Sequence, residues 1–320
     1  MRKTALVTAI GSFASDIVIK SLKAMGYRVV GCDIYNRRWI AQSENTDVFY
    51  QVPYTSDRGE YIHFMMGVCQ KEKVDFLLPL TDIEVDVWNE CRDALKSGNV
   101  TLCCSPEKTI KICRDKLSLE TFLRDKKLCK TIPSKRLSEA ELGKITEPVV
   151  LKPYNGRSSQ GLYKVENPAK LPYYLGLVDR REEYVIQPMI KGDIITVDIV
   201  RDPASDLTWS VPRRELLRTL NGAGTSVYVF RDEKLEETCK NIAAHLDIKG
   251  CVNMEFIQSQ NGEMYFMECN PRFSGGAAFT FQAGYDLVKD HMRIFEGQPA
   301  AGENMAREMY IARKYCEVEM

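Results

Sequence analysis

The strongest constraint in this chain is a β-hairpin pattern in residues 253–276, which read NMEFIQSQNGEMYFMECNPRFSGG. Two apolar-rich runs flank the pair Asn261 and Gly262. An Asn-Gly pair between such runs favours a two-residue turn, because both residues tolerate the positive φ that a type I′ turn requires. We therefore predict two antiparallel strands joined at Asn261 and Gly262.

Acidic side chains oppose each other in the predicted hairpin. A two-residue turn at this position places Ile257 opposite Phe266 and Glu255 opposite Glu268. Directly opposed side chains lie roughly 5 Å apart at Cβ, and like charges at that spacing destabilise a hairpin. A divalent cation with oxygen ligands would compensate the two carboxylates.

Further polar residues continue the acidic face of the second strand. Side chains alternate along a strand, so Glu268, Asn270 and Arg272 share one face. Mg²⁺ takes carboxylate, amide and phosphate oxygens, and a guanidinium suits phosphate. The pattern therefore indicates a metal–phosphate site on a sheet.

The alternative is an ordinary hairpin with a polar, solvated face. The absence of lysine among the paired acids, and the Pro and Gly-Gly that follow, argue against it.

Glu255 and residues 267–272 (MECNPR) resemble the metal-binding signature of the ATP-grasp superfamily. The likeness is to the branch of carbamoyl-phosphate synthase large subunits and biotin carboxylases, and to single-unit carboxylate–amine ligases. The resemblance implies that Glu255, Glu268 and Asn270 hold Mg²⁺ or Mn²⁺, with two ions expected, on the phosphates of ATP. It also implies a catalytic role for Arg272, in contact with the transferred phosphoryl group or the substrate.

Composition excludes several classes of partner. The 320-residue chain has 44 Lys plus Arg and 44 Asp plus Glu, which gives no electrostatic case for nucleic acid or an anionic membrane. No apolar run approaches the roughly 18–20 residues that span a bilayer. Eleven scattered cysteines without a CxxC pair indicate reduced thiols and a cytoplasmic protein. The three histidines lack ligand spacing with a cysteine, so no zinc site is expected.

The N-terminal residues carry a βαβ pattern. We predict a helix over 15–25 and strands over 4–10, 28–32, 74–79 and 102–105. One glycine, Gly11, follows the first strand, so the GxGxxG fingerprint of dinucleotide binding is absent. The predicted fold class is α/β (α+β). The resemblance implies an ATP-grasp fold with an N-terminal Rossmann-like domain over residues 1–112.

A second region, residues 113–187, is predicted to form the lid subdomain. An apolar strand over 147–153 leads into a glycine-bounded loop with two serines. Glycines let backbone N–H groups approach phosphates closely. Strand, lysine and loop together resemble the lid of the ATP-grasp fold. The resemblance implies that the phosphates of ATP are contacted by Lys116, Lys152, Ser158, Ser159 and Gly161. Lys116 is expected at the α-phosphate, and Lys152 is also expected to be catalytic.

The C-terminal subdomain with the metal site is predicted over residues 188–320. At its junction with the lid, the resemblance places Gln187 and Met189 beside the adenine and Asp193 at the ribose hydroxyls. Many family members have Glu where this chain has Gln187, so the contact to the adenine amino group is altered.

The acceptor substrate is expected near a strand and a glycine-containing loop. The related ligases commonly have a basic residue there, which in this chain is either Arg213 or Arg214. Adjacent residues on a strand face opposite sides, so only one of the two points inward. Gly275 is the third expected substrate contact.

The predicted function is ATP-dependent ligation of a carboxylate to an amine, of the amino-acid type, through an acyl-phosphate with release of ADP and phosphate. The expected partners are thus a small-molecule carboxylate and amine, and a homodimer is compatible with this interpretation. Two alternatives stay open. One is a carbamoyl-phosphate-synthase-like subunit that phosphorylates a carboxylate or carbamate and works with a partner. The other is a non-catalytic ATP-binding sensor.

Overall fold

A parallel five-stranded sheet forms the N-terminal part of the computed structural model, which describes residues 2–157, 159–301 and 306–320. The sheet order is β3-β2-β1-β4-β5, as in Rossmann-like folds. Its elements are β1 (Thr4–Val7), α1 (Ser15–Ala24), β2 (Arg28–Asp33), β3 (Val48–Gln51), α2 (Arg58–Glu72), β4 (Phe76–Leu78), α3 (Asp82–Glu90), α4 (Arg92–Ser97) and β5 (Thr101–Leu102). The predicted fold class is confirmed.

Two helices, α5 (Glu107–Arg114) and α6 (Lys116–Asp125), lead out of this sheet. Asp115 separates the two helices with an extended backbone (φ −107°, ψ 107°). The Asp115 carboxylate accepts hydrogen bonds from the N–H groups of Leu117 and Ser118, which caps α6. Lys116 therefore lies on the first turn of a new helix.

An antiparallel four-stranded sheet follows, with the order β7-β10-β8-β9. After β6 (Lys130–Thr131), which joins a different sheet, its elements are β7 (Lys135–Arg136), β8 (Val149–Pro153), β9 (Tyr163–Val165), α7 (Leu171–Leu175) and β10 (Tyr184–Pro188). One face packs on its own small core, which includes Leu137, Val149, Leu151 and Ile186.

The third sheet has seven strands in the order β16-β13-β12-β11-β14-β15-β6. Its elements are β11 (Gly192–Asp202), β12 (Leu207–Arg218), β13 (Gly224–Val229), α8 (Glu233–His245), β14 (Gly250–Ser259), β15 (Met264–Asn270), α9 (Ala277–Ala283), α10 (Leu287–Phe295) and β16 (Met309–Ala312). Short 3₁₀ turns elsewhere cover Arg37–Trp39, Ala41–Asn45, Leu137–Glu139, Leu142–Lys144, Pro168–Lys170 and Arg181–Glu183. None of the described helices is long and apolar enough to cross a bilayer.

The predicted opposition of Glu255 and Glu268 is confirmed, although the predicted turn is wrong. The turn holds three residues, since Ser259 N–H donates to the Glu263 carbonyl across them. Gly262 takes a φ of +77° in this turn, which glycine adopts without strain.

A one-residue register shift in the hairpin offsets the longer turn. Phe256 pairs with Phe266, and Ile257 pairs with Tyr265 rather than with Phe266. The shift lies between Glu255 and Phe256 and restores the acidic pair. It is a β-bulge, in which one strand carries an extra residue. Phe266 thereby stays in the hydrophobic core while Glu268, two residues later, faces the opposite side of the sheet.

The N-terminal sheet and the seven-stranded sheet share one hydrophobic core. It joins Val7 and Ile10 to Val200, Phe273 and Leu287, among other buried residues. Burial of apolar surface stabilises by roughly 25 cal/mol per Å², so a common core holds the two sheets together. The carboxyl ends of β1 and β4 are thereby fixed against the polar end of β15.

Candidate active site

A cavity of about 790 Å³ lies where the three sheets meet. Residues from each sheet line it: Asp82 from the N-terminal part, Lys152 from the four-stranded sheet, and Glu255 and Glu268 from the seven-stranded sheet. Parallel sheets commonly place ligand sites at the carboxyl ends of their strands, and Asp82 follows β4 at such an end.

The two opposed glutamates face the cavity with cations beside each of them. Arg218 Nη2 lies 3.2 Å from Glu255 Oε2, and Lys116 Nζ lies 3.4 Å from Glu268 Oε2. Asn270 donates a hydrogen bond from Nδ2 to Glu268 Oε1 at 3.2 Å. That amide orientation leaves the Asn270 Oδ1 oxygen as an acceptor.

Burial and mutual repulsion perturb this acidic pair. Burial, together with the charge of Glu268, raises the pKa of Glu255 to about 7. Burial alone would also raise the pKa of Glu268, but Lys116 and Lys152 outweigh it and hold that pKa below its usual value. The neighbouring cations therefore compensate the negative charge of Glu268 more fully than that of Glu255.

This donor set fits a divalent cation shared with phosphates. Glu255, Glu268 and Asn270 offer two carboxylates and one amide oxygen. Elsewhere among the described residues, no cluster of three or more His, Cys, Asp or Glu could hold a metal by itself. Mg²⁺ is commonly bound through one or two carboxylates plus substrate phosphates. The three residues would hold the ion, which would neutralise charge on the phosphates.

Lys152 reaches the cavity from the end of β8. Its neighbours Val149 and Leu151 pack in the core of the four-stranded sheet, so strand alternation directs Lys152 to the other face. The side chain is buried, and burial lowers its pKa to about 8; Lys116 adds to this shift, whereas Glu268 and Glu255 oppose it.

We expect ATP binding to raise the pKa of Lys152 and so to draw a proton from solution. At pH about 9, one unit above the pKa of about 8, roughly nine-tenths of Lys152 is neutral in the free protein. A polyphosphate beside the amine favours the charged form. Calorimetric titration of ATP in buffers of different ionisation enthalpy should show uptake approaching one proton. Lys152→Met should abolish most of that uptake, and equal uptake in both proteins would contradict the assignment.

Lys116 bridges the acidic pair and the lid loop. Its Nζ donates to the Gly156 carbonyl at 2.7 Å, and its backbone N–H donates to the Tyr154 carbonyl at 2.9 Å. The lysine thus lies beside Glu268 and the loop together, where the resemblance puts the α-phosphate.

The loop after β8 contributes Ser159 to the cavity lining, whereas Ser158 lies outside the described residues. Gly161 has a φ of +67°, and a Cβ there would lie 2.6 Å from the Tyr184 hydroxyl. Gly161 is absent from the cavity lining that the structure describes. The glycine therefore lets the loop pass close to Tyr184.

The segment joining the four-stranded and seven-stranded sheets only partly matches the adenine prediction. Gln187 and Met189 line the cavity, and Gln187 Oε1 accepts a hydrogen bond from Ser134 at 3.2 Å. The Met189 N–H donates to the Pro148 carbonyl at 3.0 Å, so this donor is already paired within the fold.

Asp193 is placed differently from its predicted role at the ribose. Gly192 and Ile194 line the cavity, while the Asp193 carboxylate lies 3.5 Å from Arg214 Nε on the other face of the sheet. The cause is strand alternation, because consecutive residues of β11 face opposite sides. The expectation that Asp193 holds the ribose is therefore not supported.

Of the two adjacent arginines, Arg213 faces the cavity and Arg214 does not. Arg213 is buried, with Nη1 at 2.7 Å from Asp198 Oδ2 and Nε at 3.1 Å from Glu215 Oε1. A Cβ at Gly276 would lie 2.5 Å from Arg213 Nη2, so this glycine makes room for the guanidinium.

Gly275 lines the cavity beside these charged groups, and its carbonyl accepts a hydrogen bond from Arg313. The sequence patterns did not single out Asp198, Glu215, Arg218 or Asp82. Only Asp82 had a usable signal, because it begins a helix directly after a parallel strand.

Arg272 follows Asn270 by two residues and also lines the cavity. Its Nη2 donates to Asp82 Oδ2 at 2.8 Å, and its Nη1 donates to the Phe273 carbonyl at 3.1 Å. The site therefore brings together Glu255, Glu268, Asn270, Lys152, Lys116 and Arg272, as predicted from the sequence.

Comparison with known proteins gives a consistent family likeness. A family model described as "ATP-grasp in the biosynthetic pathway with Ter operon" matches residues 180–317. The carbamoyl phosphate synthase large chain of Clostridium botulinum (strain Kyoto / Type A2) is 24% identical over 276 residues, or 82% of this chain and 25% of the relative. This chain thus spans about a quarter of the length of that relative. A D-alanine–D-alanine ligase of Francisella tularensis is 25% identical over 263 residues, or 79% of this chain and 80% of the relative.

Solved structures support the fold. A biotin carboxylase complex from Campylobacter jejuni superposes with a TM-score of 0.79 at 16% identity, covering 95% of this chain and 73% of the other. An L-amino acid ligase from Bacillus licheniformis gives a TM-score of 0.72 at 14% identity, covering 92% and 74%. At these identities the likeness concerns the fold.

Proposed function

We propose that this chain, which resembles ATP-grasp proteins in sequence and fold, ligates a small-molecule carboxylate to an amine through an acyl-phosphate, with release of ADP and phosphate. Phosphoryl transfer from ATP gives the carboxylate a leaving group, which the amine then displaces. Little covalent chemistry is left for the protein, so its contribution is positioning and charge neutralisation.

The residues divide this task by position. Lys152 and Lys116 would bind the phosphates of ATP, and Glu255, Glu268 and Asn270 would hold Mg²⁺ or Mn²⁺. Arg272 would donate hydrogen bonds to the transferred phosphoryl group. Asp193 has no part in this proposal, because it faces away from the cavity.

The observation that carries the proposal is a second polar end of the same cavity. Besides the acidic pair, Arg213, Glu215, Arg218 and Ser274 line the cavity, and the proposal assigns none of these four to the nucleotide. Carboxylates and guanidiniums lie there together, with Arg213 Nε at 3.1 Å from Glu215 Oε1. Mixed charges suit substrates that carry both an ammonium and a carboxylate, as amino acids do.

Two other functions remain to be separated from this one. The match to carbamoyl phosphate synthase large chains favours a subunit of that kind, although this chain spans only a quarter of their length. It would turn over ATP with bicarbonate or carbamate rather than with an amino-acid pair. A nucleotide sensor would bind ATP without acceptor-dependent turnover.

The experiment is a screen for ADP release by the purified chain with ATP and Mg²⁺. Amino acids are supplied singly and in pairs, with bicarbonate and ammonia as a separate arm, and products are identified by mass. We expect ADP release that requires one carboxylate and one amine and yields their condensation product. ATP binding without acceptor-dependent ADP release would favour the sensor and overturn the proposal.

A further inference from the structure

The Asp82 carboxylate belongs to the N-terminal part of the chain and lines the cavity that residues of the four-stranded and seven-stranded sheets also line. Asp82 is the first residue of α3, at the carboxyl end of β4, and it is only 4% exposed. The cavity lining includes Asp82 together with Thr81 and Ile83. An ionised group so buried has to be paired, because isolated charges are costly to remove from water.

Cations surround the Asp82 carboxylate. Arg272 Nη2 lies 2.8 Å from Oδ2, and Arg114 Nη1 lies 3.7 Å from Oδ1. Burial alone would raise the pKa of Asp82, but Arg272, Arg114 and Lys116 hold it below its usual value. Oδ1 makes no hydrogen bond within the described part of the chain. The tight contact is therefore the one to Arg272.

Both terminal nitrogens of Arg272 are fixed by these contacts. Nη2 is bound to Asp82 at 2.8 Å and Nη1 to the Phe273 carbonyl at 3.1 Å. A guanidinium carries five N–H donors in a rigid plane, so two bonds fix its orientation and leave the other donors for a ligand. The Phe273 carbonyl belongs to the adjacent residue, whereas Asp82 comes from the first turn of α3 in the N-terminal part of the chain, 190 positions earlier.

We propose that Asp82 is a positioning residue, which holds the Arg272 guanidinium in the orientation needed to meet the transferred phosphoryl group. This inference rests on the proposed function. The N-terminal part of the chain then acts in phosphoryl transfer through the hydrogen bond of Asp82 to Arg272. A misplaced catalytic group can cost about 10²-fold in rate, so the contact has room for a large effect.

Asp86 provides a matched control on the same helix. It lies one turn after Asp82 and binds Arg114 with two contacts of 2.8 and 3.0 Å, without contacting Arg272. Its side chain is 40% exposed. Asp82→Asn and Asp86→Asn therefore both remove one negative charge beside Arg114, but only Asp82→Asn weakens the hold on Arg272.

The test compares turnover, ATP affinity and melting temperature for these variants. We expect Asp82→Asn to lower turnover about tenfold or more while the ATP dissociation constant stays within about twofold, and Asp86→Asn to match wild type in both. Asp82→Glu, which keeps the charge, should recover part of the loss. Asp82→Asn combined with Arg272→Ala should be no slower than Arg272→Ala alone, because Asp82 acts through Arg272. Unchanged turnover in Asp82→Asn, or multiplying losses in the double variant, would overturn the proposal.

A second measurement does not depend on turnover. Rotation of the Arg272 guanidinium, followed by nitrogen-15 NMR of its side chain, should be slow in wild type and in Asp86→Asn, and fast in Asp82→Asn. Equal rotation in all three proteins would show that Asp82 does not fix the guanidinium. Absence of acceptor-dependent ADP release in wild type, with the rotation result as expected, would instead reject the ligase function.

Discussion

Arg272→Ala should lower turnover by about 10²-fold or more while ATP binding stays nearly intact. The guanidinium lies at the far end of the acidic pair and is bound to Asp82 at 2.8 Å. In the proposed function its donors would act on the migrating phosphoryl group, where charge changes most in the transition state. We expect ATP affinity to depend instead on Lys152 and Lys116, which this substitution leaves in place.

Matched substitutions separate this effect from a general loss of charge. Arg272→Lys should recover little, since an ammonium cannot reproduce the two-pronged geometry of a guanidinium. Lys152→Ala should weaken ATP binding and lower turnover together. The measurements are a nucleotide titration and ADP release for each variant, with melting temperature as the folding control. Wild-type turnover of Arg272→Ala with a saturating acceptor would make Arg272 a structural residue.

Removal of divalent metal should abolish turnover and weaken ATP binding severely. Glu255 and Glu268 are opposed on neighbouring strands. Without a metal, we expect their charges to repel the triphosphate of ATP. Their cations, Arg218 and Lys116, compensate the pair only in part, because the pKa of Glu255 still rises to about 7. Divalent metal would bring the charge that lets the acids and phosphates approach each other.

The measurement is ADP release after dialysis against excess chelator, followed by stepwise return of Mg²⁺ or Mn²⁺. Circular dichroism should change little on chelation, because Arg218 and Lys116 already hold the acidic pair in the folded chain. Recovery of turnover with added metal would link the loss to the site rather than to unfolding. Full activity in excess chelator would exclude the metal role of these residues.

The hairpin shows how far local sequence patterns reach. The Asn-Gly pair and the alternation of the strands correctly place Glu255 opposite Glu268. The result depends on two departures that cancel, a turn one residue longer than predicted and a one-residue bulge after Glu255. Neither is encoded by the alternation itself. The bulge follows from a tertiary demand, since Phe266 is required in the core and Glu268 in the cavity.

Asp193 shows a prediction that strand parity could have corrected. Ile195, Val197 and Ile199 all pack in the core on one face of β11. Asp193 has the same parity, so it lies on that side of the sheet rather than on the side of Ile194, which lines the cavity. A motif match placed the acid in the correct segment but on the wrong face.

Asp82 and Arg218 mark the limit of prediction from sequence. Asp82 meets a residue 190 positions away, and Arg218 meets Glu255 across 37 positions. No local periodicity encodes such contacts, because the first joins the N-terminal part of the chain to the end of β15 and the second joins β12 to β14 within the seven-stranded sheet. The residues within one strand, such as Glu268 and Asn270, were predictable since their spacing alone fixes their common face.

The shared core between the first and third sheets determines how this protein can be divided. A chain cut at the proposed boundary after residue 112 would leave Val200, Phe273 and Leu287 without the apolar partners Val7 and Ile10. Large exposed apolar patches promote aggregation. The N-terminal segment is therefore not a separable domain, and truncation studies or domain exchange with proteins of similar fold should keep both sheets together. The four-stranded sheet, which has a core of its own, is the part suited to exchange.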